Sequence, residues 1–147
     1  MWCRRVLLLC LALIAAFSAA CGSADPGLAP ASSVTVAPPI HMPSSPVKIR
    51  LLEPTPGEVV HGGSLQVVVS ISGGTIVPYT SNDVTPTTGH IHIYLDGQLY
   101  YMSFSTHATI PIQPGQEYQI YAEWVATDHF SFDPRDMTQP FYFTVES

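Results

Sequence analysis

From Val47 onward the chain alternates apolar and polar residues with a period of two, interrupted by proline, glycine and aspartate. That is the pattern of short half-buried strands separated by turns. Val47, Ile49 and Leu51 share one face, and Glu53 to Glu58 reads as a turn. Leu65, Val67, Val69 and Ile71 alternate with Gln66, Val68 and Ser70 before Gly73-Gly74 breaks the run. The piece Ile76 to Tyr79 predicts a brief continuation, followed by a loop over 80–89. Ile91, Ile93 and Leu95 then face one way, and His90, His92 and Tyr94 the other. Asp96-Gly97 is a hairpin signal, because both residues tolerate the positive φ of a two-residue turn. Leu99 to Phe104 is expected to return antiparallel. A short strand over Thr109 to Ile112, a Pro114-Gly115 turn, an alternating strand over Tyr118 to Val125 and a last one carrying Phe141, Phe143 and Val145 complete the pattern. About seven strands without an amphipathic helix predict an all-β fold of two antiparallel sheets packed face to face.

The first part of the chain is different. Arg4 and Arg5 precede an uncharged apolar run from Val6 to Phe17, and Ser18-Ala19-Ala20 are small. That order predicts a secretory signal peptide over residues 1–20. The run is short for a permanent span, which needs about 20 apolar residues. The segment Ser18-Ala19-Ala20-Cys21, followed by Gly22, resembles the bacterial lipobox, with Ser18 where leucine is preferred. The resemblance implies diacylglycerol on the Cys21 thiol, cleavage before Cys21 and lipid anchoring on the extracytoplasmic side of a cell membrane. An ordinary secreted protein cleaved near Ala20 is the alternative. Cys3 and Cys10 would leave with the signal, so Cys21 would be the sole cysteine of the mature chain and no internal disulfide would form.

Residues 21–46 are rich in proline, serine and alanine and predict a semi-extended tether, leaving 47–147 as the folded domain. His41 and Met42 read as tether residues without a role. Beyond residue 20, Lys48, Arg50 and Arg135 stand against eleven acids, a formal charge of −8. So acidic a chain lacks the basic footprint that nucleic acid requires.

Pro54 to Val145 resembles the immunoglobulin-like domains of small secreted bacterial lipoproteins. The resemblance rests on the Pro54-Thr55-Pro56-Gly57 turn, the valine-rich strand over Leu65 to Ile71 and the hairpin Gly89-His90-Ile91-His92-Ile93-Tyr94-Leu95-Asp96-Gly97. Pro114-Gly115 and the Asp128-His129 pair add to it. Gln116-Glu117 stand where a histidine often follows the Pro-Gly, which removes one possible ligand. An immunoglobulin-like β-sandwich is the implied fold, and the resemblance carries no activity with it.

Candidate chemistry centres on the histidines. On one strand face His90 and His92 would have Cβ atoms roughly 7 Å apart, close enough to share an ion. His129 is the candidate third ligand, with Asp128 as a further ligand or as the group orienting its ring. Imidazole donors would favour zinc or copper. The competing reading is a polar, hydrogen-bonded sheet face. His61 and His107 read as turn residues, and Met102 and Met137 as packing residues. The chain has no G-x-S-x-G, no H-E-x-x-H and no phosphate-cradling glycine loop, so catalysis is not expected. Tyr94, Tyr100, Tyr101, Tyr118, Tyr121 and Trp124 form an aromatic set whose outward members would suit an envelope protein or polymer. The sequence therefore supports a non-catalytic envelope lipoprotein acting as a structural or interaction module, with extracytoplasmic metal binding as the alternative.

Overall fold

A computed structural model describes residues 41–147. The signal peptide, Cys21 and the tether up to residue 40 lie outside the described residues. Among these there is no helix, and ten strands follow in order: β1 (Lys48–Glu53), β2 (Val59–His61), β3 (Ser64–Ser72), β4 (Thr75–Ile76), β5 (Thr88–Leu95), β6 (Gln98–Ser103), β7 (His107–Pro111), β8 (Glu117–Ala126), β9 (Ser131–Met137) and β10 (Phe141–Glu146).

The strands form two sheets. One is three-stranded in the order β1-β3-β7, and the other runs β2-β10-β8-β5-β4, with β6 added on β5 and β9 on β8. First, third and seventh strands in one sheet, with the β10-β8-β5-β6 run in the other, is the strand arrangement of an immunoglobulin-like sandwich. Leu65, Val67 and Val69 of β3 and Ile110 of β7 meet Ile91, Ile93 and Leu95 of β5, Ile120 and Trp124 of β8, and Phe143 and Val145 of β10 in one core. Each large side chain so buried contributes about 1.5–3 kcal/mol. Pairing places Gly89 opposite Ala126 and Leu95 opposite Ile120, so β5 and β8 lie together along their length.

The turn chemistry follows the sequence. Asp96 has φ 51° and Gly97 φ 77°, the two positive values of a type I′ turn. Gly89 is required for a different reason: a Cβ there would sit 2.0 Å from the Val125 carbonyl oxygen. Three expectations need correction. β2 and β9 are additional strands, and His61 ends β2 beside Glu146 rather than occupying a turn. His107 likewise opens β7, paired with Val68. β9 is hidden in sequence by Pro134, which removes a ladder donor and suits a strand whose pairing is confined to one side.

Candidate metal centre

β5 alternates as expected, but both of its faces are covered. Ile91 and Ile93 point into the core, whereas His90 is 0% and His92 3% exposed on the other face. Two buried imidazoles call for polar partners, and one comes from the β8–β9 connection. That turn is closed by hydrogen bonds from the Ala126 amide to the Phe130 carbonyl (3.0 Å) and from the His129 amide to the Ala126 carbonyl (3.0 Å). It swings His129 over β5 with φ 71°, a left-handed backbone uncommon outside glycine.

The three imidazoles converge. His129 Nδ1 lies 2.9 Å from His90 Nε2 and 3.5 Å from His92 Nε2. One ligand atom from each residue falls within 4.8 Å of the others. Nitrogens bound at 2.0–2.1 Å in a tetrahedral site stand about 3.3 Å apart. The two separations from His129 lie within about half an ångström of that spacing. On its far side His129 Nε2 meets Thr80 Oγ1 at 2.9 Å. An Nε2–H donating to Thr80 leaves Nδ1 with a free lone pair directed at the other two rings. Thr80 is itself held in place, because the following loop is fastened to the β8–β9 turn. The Ser81 amide donates to the Thr127 carbonyl (3.0 Å), and Thr127 Oγ1 donates to the Ser81 carbonyl (2.9 Å).

Burial favours the neutral form of His90 and His92. Burial, followed by the charge of neighbouring imidazoles, lowers His90 from 6.5 to about 4. For His92 burial again dominates, then His129, outweighing the opposing influence of Glu123, and the value is again about 4. Neutral imidazole is the form that binds metal. His90 Nδ1 is buried with no hydrogen-bond partner. An unpaired buried polar atom costs about 1–3 kcal/mol.

Next to the cluster, Glu123 lies opposite His92 on β8 and is fully buried. Arg135 of β9 donates through Nε to Glu123 Oε1 at 2.7 Å, and its Nη2 engages Oε2. Burial pushes the Glu123 carboxyl upward, but hydrogen bonds from Arg135 and Ser131 outweigh it and hold the group below its ordinary value. Beside them Tyr94 stacks on Tyr121 with ring centroids 4.5 Å apart. Burial, then Glu123, raises the Tyr94 phenol to about 12.

All three sequence candidates are thus brought together, whereas Asp128 is not. Its carboxylate accepts the Phe130 amide at 3.1 Å and shapes the turn, and Thr80 is the partner of His129. Sequence reasoning missed Thr80 and the Glu123–Arg135 pair. For Glu123 a signal existed, since alternation along β8 sets it on the face opposite Ala122 and Trp124. The aromatic set divides: Trp124 is core, while Tyr100 and Tyr101 are exposed.

No protein-family model matches the chain, and no curated protein matches it. Among solved structures, it is similar to fibronectin(III)-like modules of Clostridium thermocellum CbhA, at 16% identity over 67% of this chain and 94% of that one, with a TM-score of 0.49. The strand order establishes the sandwich independently of that likeness.

Proposed function

We propose that this chain is a non-catalytic lipoprotein, anchored through acylated Cys21 on the extracytoplasmic side of a membrane, that binds zinc or copper through His90, His92 and His129. The convergence of three imidazole nitrogens within 4.8 Å of one another carries the metal reading. Imidazole suits both ions, and the Thr80 contact supplies the outer partner that metal-bound histidines ordinarily have. The lipid anchor is supported by the lipobox-like Ser18-Ala19-Ala20-Cys21 and the charge and apolar pattern before it. The absence of catalytic motifs from the sequence supports a binding role.

Titration of the purified protein with Zn²⁺ and Cu²⁺ tests the metal reading. Submillimolar binding that is lost in the His90→Ala/His92→Ala double variant is expected, and unchanged affinity in that variant contradicts it. Cys21→Ala is expected to release the protein into the medium, and unchanged membrane retention contradicts the anchor.

An interaction role has separate support in β6. It pairs with β5 alone and exposes Leu99, Tyr100, Tyr101 and Met102. Exposed apolar side chains on an edge strand suit an envelope protein or polymer. Photo-crosslinking from position 101 in intact envelopes is expected to give a discrete adduct, and none in any growth condition contradicts this role.

A further inference from the structure

The three histidines leave one position of a four-coordinate ion to be filled, and the neighbouring strand places a soft donor beside it. Met102 of β6 is the direct cross-strand partner of His92. Side chains so paired lie on the same face of a sheet, with Cβ atoms about 4.5–5.5 Å apart. The facing is corroborated on both sides. Ser103, the next residue, is buried opposite Ile91 on the core face. Phe104, one further, returns to the histidine face, where its ring centroid is 5.1 Å from that of His90. Met102 is 45% exposed, so its thioether is not committed to core packing.

No carboxylate joins the converging group of ligand atoms among the described residues. Glu123 holds Arg135 through both oxygens, Asp128 accepts the Phe130 amide, and Thr80 lies on the Nε2 side of His129, away from the cluster. Phe104 has no ligand atom. From this geometry we infer that Met102 is the fourth ligand and that the site takes copper as Cu(I) in preference to zinc. This rests on the histidine reading above. A thioether is a soft ligand that selects Cu(I), whereas zinc is bound by thiolate, imidazole and carboxylate. The half-exposed methionine would also give the ion a flexible ligand.

The test uses the full chain and two ions: Cu(I) supplied anaerobically against a competing chelator, and Zn²⁺ alone. Met102→Leu is expected to weaken Cu(I) by at least about tenfold while changing Zn²⁺ by no more than about twofold. X-ray absorption of the Cu(I)-loaded native protein is expected to show one sulfur with the nitrogens, and this readout does not depend on any variant folding. Unchanged Cu(I) affinity in Met102→Leu, or a first shell without sulfur, overturns the methionine ligand. If the His90→Ala/His92→Ala variant still loses binding, the histidine site survives that failure. A native protein that binds neither ion, or a double variant that binds as the native does, overturns both.

Discussion

The two faces of β5 are built from alternate residues of one strand, and both are buried, yet they are buried by different means. Ile91, Ile93 and Leu95 meet the apolar side chains of the opposing sheet. His90 and His92 lie beneath a turn and a loop, in contact with a third imidazole. The core face gains stability from every methylene removed from water. On the histidine face an unpaired Nδ1 costs stability, and the two imidazoles held neutral cost it as pH falls below about 6.5. The proposed binding role rests on this second face.

The largest effect is expected where both faces fail together. In Gly89→Ala the new Cβ would meet the Val125 carbonyl 2.0 Å away, displacing β5 from β8. A loss of about 4 kcal/mol or more in urea unfolding is expected. Arg135→Met damages the histidine face alone by leaving the buried Glu123 carboxylate unpaired. Its expected cost is about 3 kcal/mol at neutral pH, at the low end for a buried pair because the guanidinium side is half-exposed. The Glu123→Gln/Arg135→Met double variant should recover much of that loss by the same denaturation assay.

Acid should separate the faces next. The imidazoles of the unfolded chain take up protons near 6.5, but His90 and His92 in the metal-free fold do so only near 4. The unfolded state therefore binds more protons in this interval. Stability is present above about 6.5 and is lost as pH falls towards 4, by on the order of 3 kcal/mol. Thermal melts of a His90→Leu/His92→Leu variant should show a flatter profile across that window. The smallest effect is expected from Thr80→Ala, which removes the outer partner of His129. Metal affinity should fall by about tenfold, measured by competition, with little change in the melting temperature of the metal-free protein.

The same contrast explains what could be read from the sequence. Period-two alternation set His90 and His92 on one face, and Asp96-Gly97 marked the hairpin between β5 and β6. Local chemistry was enough for those features. It was not enough to show that the histidine face is buried, because its cover comes from residues distant in sequence. Thr80 reaches His129 across 49 positions, and nothing about a threonine in a polar loop announces that contact. Arg135 was concealed with β9, whose Pro134 reads as a turn. Asp128 illustrates the reverse error: proximity in sequence suggested that it orients His129, but its carboxylate is used by the turn itself. Met102 reads as a packing residue along the chain, whereas its neighbour His92 lies across a strand pair whose register is shifted by a bulge between Ile93 and Tyr94.

X-ray absorption of the zinc-loaded protein tests the histidine site most directly, since it reports the ligands rather than their consequences. Three imidazole nitrogens at about 2.0–2.1 Å are expected, with one of them lost in His92→Ala. A shell of water and carboxylate oxygens, or a spectrum unchanged by that substitution, would contradict the account.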